Sequence, residues 1–131
     1  MHEIVRMLRQ TEGWTVAEAE RGVEELGRFL RLSTSHPGRL SPSRRLDAVW
    51  HAFLERPERY RELSLAACGR VVRHLPSSLR HERYELARRL MVEHYGAVDD
   101  RFWPHPDVTA ADPAFLVAHC VADEQPPPPP P

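Results

Sequence analysis

The chain has 131 residues, 41% hydrophobic and 28% charged, a composition typical of one folded domain with a single hydrophobic core. The formal net charge of -1 argues against a general attraction to nucleic acid or to an anionic membrane surface. All 18 basic residues are arginine, which excludes chemistry that needs a Schiff-base lysine or a phosphate-loop lysine.

The N-terminal segment is amphipathic and predicts a short helix over residues 2–10. It lacks the apolar run of a secretory signal, and no later segment reaches the roughly 18 apolar residues that a membrane span needs. Two cysteines, Cys68 and Cys120, are too few for a disulfide framework. We therefore predict a cytoplasmic protein with reduced thiols and no membrane segment.

A second helix is predicted to begin after Gly13, where Thr15 and Glu18 have the spacing of a capping box. Its apolar residues recur at helical spacing and are Ala19, Val23, Leu26 and Leu30, with Phe29 beside them. Gly22 and Gly27 lower the helix propensity, so this helix needs tertiary packing to be stable.

A third helix is predicted after the loop at His36-Pro37-Gly38, with Ser41 as its N-cap and Pro42 at its first position. It runs to about Leu54, and its apolar side consists of Leu46, Val49, Trp50 and Phe53.

Pro57 is predicted to begin a fourth helix that continues to about His74 and ends before Pro76. The residues expected on its inner face are Tyr60, Leu63, Ala67 and Val71. Because His74 continues this stripe, its side chain is expected to point inward too.

A fifth helix is predicted to begin after Ser77 or Ser78 and to end at Gly96, in the position of a left-handed glycine. Its apolar stripe consists of Tyr84, Ala87, Leu90, Met91 and Tyr95. The run Phe102-Trp103-Pro104 is expected to close the core, and a last short helix is expected over about 110–120.

The chain shows no alternation of polar and apolar residues long enough to predict a sheet. We therefore predict an all-α fold, a small bundle of about five to six helices in one domain over residues 1–122. Residues 123–131 contain six consecutive prolines and predict a disordered polyproline II tail. Such a tail presents a surface that aromatic grooves of a protein partner bind; a solvated terminus without a partner is the favoured alternative.

The polar residues best suited to form a functional site are Asp47 and His51, which share a helix face at the margin of the predicted core. A carboxylate beside an imidazole fixes the tautomer of the ring, both in metal sites and in acid–base catalysis. With His74 they make a candidate site for a divalent metal. The alternative is that these histidines are hydrogen-bonded core residues, which is the commoner situation.

A length estimate argues against His51 and His74 meeting. In a simple antiparallel hairpin around Pro57 they would be offset by roughly 16 Å along the axis, at about 1.5 Å per residue. Imidazoles within about 5 Å of each other, with Asp47 adjacent, would instead favour the metal site, because zinc–ligand bonds are about 2 Å long.

Several short motifs occur in a fixed order along the middle of the chain. They are Arg28-Phe29-Leu30, then Asp47, Trp50 and His51, then Tyr60, Gly69, His74 and Pro76, with a weaker echo in Tyr95-Gly96 and Phe102-Trp103-Pro104. Over roughly residues 20–104 this set resembles the glycine-rich domain-containing protein-like family, a mostly uncharacterised group in bacteria and plants. The resemblance implies a helical domain, leaves the activity open, and assigns Trp50, Tyr60, Gly69 and Pro76 a supporting role in the motif.

The chain departs from the family pattern at positions that bear on a metal site. Phe53 replaces the second motif histidine, Arg73 replaces the first of a histidine pair, and Ser64 replaces a cysteine. The candidate ligands that remain are Asp47, His51 and His74.

Three functions follow from these observations. We place an interaction or accessory domain first and a metal-binding protein or metalloenzyme second. Nucleic-acid binding would depend on Arg39, Arg44 and Arg45 near a helix N-terminus, and the net charge argues against it.

Overall fold

Five helices and two short strands make up the parts of the chain that the computed structural model describes, residues 2–78, 81–107 and 117–122. The helices are α1 (His2–Glu12), α2 (Val16–Ser33), α3 (Arg44–Leu54), α4 (Pro57–Cys68) and α5 (His81–Tyr95), and the strands are β1 (His74–Pro76) and β2 (Cys120–Ala122). In these ranges no helix combines the length and the apolar composition that crossing a membrane requires.

Helix α2 is the central element and packs against the other four helices. The predicted capping box begins it: Thr15 Oγ1 accepts from the Glu18 amide at 3.1 Å, and Glu18 Oε1 accepts from the Thr15 amide at 3.2 Å. Gly22 allows α3 to approach closely, because a Cβ there would lie 2.9 Å from Val49 Cγ2 and 3.1 Å from the Phe102 ring. The low helix propensity of this glycine is thus offset by packing.

The aromatic run after α5 closes the core, as predicted. Phe102 and Trp103 are fully buried. The Phe102 ring meets Trp14 edge to face, and Trp103 Nε1 donates to Glu25 Oε2 at 3.1 Å. Gly96, at φ +85°, ends α5 in the left-handed conformation that the sequence predicted.

The predicted start of the third helix is wrong by two residues. The N-cap of α3 is Ser43, whose Oγ accepts from the Leu46 amide at 3.1 Å. Ser41 instead donates to the Cys120 carbonyl at 2.6 Å, and the Pro42 carbonyl accepts from the Ala118 amide at 3.1 Å. Both residues hold a distant segment, a role that local helix signals do not reveal.

The predicted extent of the fourth helix is also wrong. Helix α4 ends at Cys68, and Gly69 follows in the left-handed region at φ +76°. Ser64 Oγ donates to the Arg70 carbonyl at 2.7 Å and accepts from the Val72 amide at 2.9 Å, which folds the chain back over the last turn. Val71, expected on the inner face, is therefore exposed.

His74 lies in a strand and not at the end of a helix. Strand β1 pairs antiparallel with β2, in the register His74 to Ala122, Leu75 to Val121 and Pro76 to Cys120. The Ala122 amide also donates to the Leu40 carbonyl at 3.2 Å, so β2 is bound on both sides. The fold is thus mostly helical but not purely all-α.

The structure bears on only part of the predicted C-terminal region. The helix expected over about 110–120 is wrong for residues 117–120, which form a bridge to Ser43 and the start of β2. The rest of that helix, and the proline tail at 123–131, lie outside the described residues.

Candidate metal centre

One carboxylate, that of Asp47 on α3, joins polar side chains from three elements. His74 Nε2, on β1, lies 2.9 Å from Asp47 Oδ1. The Cys120 thiol, on β2, donates to the same oxygen at 3.4 Å. His51 Nε2, one turn further along α3, lies 3.3 Å from Asp47 Oδ2. We call Asp47, His51, His74 and Cys120 the Asp47 cluster.

Three members of the cluster converge closely enough to share one ion. The ligand atoms of Asp47, His74 and Cys120 all lie within 4.8 Å of one another. The His51 ring stands edge-on to the His74 ring, with their centroids 4.8 Å apart. All three sequence-predicted ligands therefore meet, and Cys120 joins them.

The backbone explains why these side chains meet. Asp47 and His51 are four residues apart on one helix, so they lie one above the other. In the sheet His74 faces Ala122, so Cys120 is its diagonal neighbour on the same face, a spacing that long side chains bridge. The two bonds from residues 41–42 to the Cys120 carbonyl and the Ala118 amide hold this strand against the start of α3.

The cluster has a buried floor and an exposed rim. Cys120 is only 2% exposed, and the side chains of Asp47 and His74 are about one-sixth to one-fifth exposed, whereas that of His51 is 58% exposed. Burial, and then the neighbouring Asp47 charge, raise the pKa of the Cys120 thiol well above its usual range. Without a metal this sulfur therefore keeps its proton, and metal binding would release it.

Four further predicted motif residues shape the surroundings and do not join the cluster. The fully buried Trp50 ring meets the His74 ring edge to face, with centroids 4.5 Å apart. Tyr60 donates from its hydroxyl to the Val72 carbonyl, and Gly69 provides the left-handed turn after α4. Pro76 lies opposite Cys120 in the sheet. Together they fix the path of the segment that carries His74.

The length estimate that separated the two histidines is wrong for a specific reason. It assumed that α4 continues to His74, whereas the helix ends at Cys68 and the chain turns back. Reversal at Gly69 brings the His74 ring to α3.

Sequence reasoning missed Cys120 as a candidate ligand. Its segment was expected to be helical, and its spacing to the other members matches no familiar metal motif. The only available signal was its residue type, one of two cysteines in a chain with an Asp-x-x-x-His pair.

Comparison of the chain with protein-family models, curated proteins and solved structures finds no match. The resemblance to the glycine-rich domain-containing protein-like family therefore stays a prediction.

Proposed function

We propose that this protein binds one divalent transition metal, with zinc as the best fit, through Asp47, His74 and Cys120. The observation that carries the proposal is the convergence of a carboxylate, an imidazole and a thiol from three separate elements. His51 is the candidate fourth ligand, since its exposed side chain has room to move toward an ion held by the other three.

The distances within the cluster approach those of a tetrahedral ion, but the side chains would have to shift to reach them. Zinc bonds are about 2.0–2.1 Å to nitrogen and about 2.3 Å to sulfur, so neighbouring ligand atoms of a tetrahedron lie about 3.3–3.6 Å apart. The contact of Asp47 Oδ1 to Cys120 Sγ, at 3.4 Å, falls in this range. His51 Nε2 lies 3.3 Å from the other carboxylate oxygen, Oδ2. The 2.9 Å contact of Asp47 to His74 would have to lengthen by about 0.4 Å, and the widest separation of ligand atoms, up to 4.8 Å, would have to shorten by about 1.2 Å.

The donor set favours a particular class of metal. Thiolate and imidazole are ligands of zinc and other borderline or soft ions, whereas magnesium and calcium require oxygen ligands. A site with one sulfur, one or two nitrogens and one carboxylate therefore selects zinc over the abundant hard cations.

The competing interpretation is a hydrogen-bonded cluster without a metal. Asp47 already accepts from His74 and Cys120, so the cluster satisfies its own polar groups. The presence of the second imidazole favours the metal, because His51 adds a further nitrogen on the side where the cluster opens to solvent.

Metal content distinguishes the two interpretations. Protein purified without a histidine tag, incubated with zinc and desalted, is expected to retain about one zinc per chain by elemental analysis. Cys120→Ser, which keeps the size of the side chain, should lower the affinity at least about tenfold, and Asp47→Asn should do the same. Cys68→Ser is the matched control, because the Cys68 thiol donates a hydrogen bond to the Ser64 carbonyl and lies outside the cluster.

Substoichiometric zinc in the wild type would overturn the proposal. So would equal zinc retention by Cys120→Ser and the wild type. Cobalt loading gives an independent readout, since a sulfur-to-cobalt charge-transfer band should appear in the wild type and in Cys68→Ser but not in Cys120→Ser.

The other sequence-based hypotheses stay predictions. They are a cytoplasmic location, an interaction or accessory role, and a protein partner for the proline tail, whose residues 123–131 lie outside the described part of the chain.

A further inference from the structure

Strand β2 belongs to a slightly longer segment, residues 117–122, that lies in a slot between two other parts of the chain. On one side the Ala118 amide donates to the Pro42 carbonyl at 3.1 Å, and the Ala122 amide donates to the Leu40 carbonyl at 3.2 Å. On the other side β2 pairs with β1. We call residues 117–122 the strap, because they bridge the approach to α3 and the strand β1.

The strap is mostly apolar and contributes one side chain to the Asp47 cluster. All its residues are buried except His119. Cys120 reaches the cluster through the 3.4 Å contact of its thiol with Asp47 Oδ1. Because a thiol is a weak hydrogen-bond donor, this contact adds little to the docking of the strap. Without a metal, apolar burial and main-chain hydrogen bonds therefore hold the strap in its slot.

A segment of this size can open without unfolding the whole protein. Strand β2 has three residues, its sheet has two strands, and two short strands are marginally stable by themselves. Proteins open locally, in cooperative units, at free energies below that of global unfolding. Opening of the strap would break its main-chain bonds on both sides and move Cys120 away from Asp47 and His74.

A metal in the Asp47 cluster would tie the strap to two other elements. Its three ligands lie on α3, on β1 and on the strap, and the ligands Asp47 and Cys120 are 73 residues apart in the chain. When the strap opens, the ion loses one of these three ligands, so it binds the closed state more tightly. A ligand that binds one state more tightly shifts the equilibrium toward that state.

We propose that metal binding at the Asp47 cluster closes the strap, so that the ion regulates whether the main-chain edges on either side of the slot are covered. The inference rests on the proposed metal site and adds a regulatory role to it. The covered edges include the Gly38 and Ser77 amides, which donate to carbonyls of the strap at 2.8 and 3.1 Å. Because coupling is reciprocal, whatever opens the strap also weakens the binding of the ion.

Amide hydrogen exchange of the full chain, followed residue by residue by NMR, tests the proposal with zinc as the probe. The reporters are the amides of Gly38, Ser77, Ala118 and Ala122, whose hydrogen bonds all break when the strap opens. With free zinc at about 100 times its dissociation constant, their exchange should slow about 100-fold, because the opening that permits exchange also destroys the site.

Two other amides serve as internal controls. Those of Gly13 and Gly96 donate to the Arg9 and Val92 carbonyls at the ends of α1 and α5. Helix ends exchange by local fraying, which leaves the Asp47 cluster intact. The exchange of these two amides should therefore not respond to zinc.

Three variants, each compared with its own zinc-free sample, separate the ion from the rest of the strap. Cys68→Ser should keep the full effect of zinc, whereas Cys120→Ser, with an affinity at least about tenfold lower, should show slowing of no more than about tenfold. Ser41→Ala removes the bond to the Cys120 carbonyl without changing a ligand. It should speed exchange of the reporter amides about three- to tenfold, both with zinc and without it. Asp47→Asn provides a second ligand variant should Cys120→Ser not fold.

The outcomes separate this inference from the proposed function. Protein that retains no zinc would remove the metal site itself, and the inference with it. Zinc that binds while the four reporter amides exchange at an unchanged rate would leave the metal site standing and overturn the inference. The inference also fails if the zinc-free reporter amides exchange as slowly as that of Leu26 at the centre of α2. The strap would then open only when the whole protein unfolds.

Discussion

The helical body and the junction of β2 with α3 are stabilised by different interactions. In the body, α2 buries a continuous apolar face, including Leu26 and Phe29, against its neighbours. At the junction, the residues of β2 are also buried, and hydrogen bonds position them: Ser41 donates to the Cys120 carbonyl, the Pro42 carbonyl accepts from Ala118, and Asp47 accepts from the Cys120 thiol. Apolar burial therefore stabilises both regions, and at the junction polar hydrogen bonds also determine the geometry of the candidate site.

This difference suggests that the two regions have different roles: the helical body provides stability, and the junction can bind a ligand. A buried apolar face tolerates no loss of volume but needs no ligand. A polar junction with a carboxylate at its centre has spare coordination capacity that an ion can use. Substitutions in the two regions, together with zinc binding, separate the contributions of the body and of the junction to stability.

Leu26→Ala should lower the free energy of unfolding by about 2–5 kcal/mol, because Leu26 is fully buried at the centre of α2. Urea denaturation measures the loss. Val16→Ala is the control, since Val16 is 43% exposed on the same helix, and it should change stability by no more than about 0.5 kcal/mol. Comparable losses in the two variants would show that α2 is not the centre of the core.

Zinc should stabilise the wild type through the junction alone. Free zinc at about 100 times its dissociation constant adds about 2.7 kcal/mol to the free energy of unfolding of a protein with one site. Cys68→Ser should keep this gain, whereas Cys120→Ser, with an affinity at least about tenfold lower, should lose about half of it or more. Leu26→Ala should also keep it, because the substitution lies in the body. An equal gain in the two serine variants would mean that zinc binds elsewhere.

Gly22 and Gly27 should respond to alanine with opposite signs, although both lie within α2. Gly22→Ala places a methyl group 2.9 Å from Val49 Cγ2 and 3.1 Å from the Phe102 ring, which should cost about 1–3 kcal/mol. At Gly27 the nearest atom is Leu63 Cδ1 at 3.9 Å, so Gly27→Ala should gain up to about 1 kcal/mol from helix propensity. Thermal unfolding of both variants measures the two changes in stability. Changes of the same sign in Gly22→Ala and Gly27→Ala would contradict the close approach at Gly22.

The same division explains how much the sequence could predict. The capping box at Thr15, the glycine end of α5 and the burial of Phe102 all follow from signals within a few residues of one another, and they are confirmed. The stop at Gly69 was missed because glycine is tolerated inside helices, and the reversal depends on Ser64 bonding to Arg70 and Val72.

The same contrast between local and non-local signals explains why only part of the candidate site was predicted. The Asp47–His51 pair lies on one helix, so a spacing of four places the two side chains together. Cys120 reaches Asp47 only because β2 pairs with β1 and with Leu40. Strands of three residues carry too little alternation to be recognised in a sequence. Non-local pairing, and not residue type, was the missing information.

The smallest expected effect is a pH dependence that originates in the helical body. Burial raises the pKa of Glu25 above its usual value, against the opposing influence of Arg21, Trp103 and Arg28. The folded state thus binds this proton more tightly than the unfolded state does. The contribution of Glu25 to stability is therefore fully present below the unfolded-state pKa of about 4.5 and is lost as the pH rises through the raised value.

Glu25→Gln isolates this contribution. As the pH is raised from below 4.5 to values above it, the free energy of unfolding of the wild type should fall relative to that of Glu25→Gln. Glu24→Gln is the control, because Glu24 is an exposed neighbour that also pairs with Arg21 and Arg28. Arg21 Nη2 lies 2.8 Å from Glu25 Oε1, and a shift in the opposite direction would mean that this ion pair outweighs burial. The pH dependence of the helical body would then resemble that of the exposed pairs on its surface.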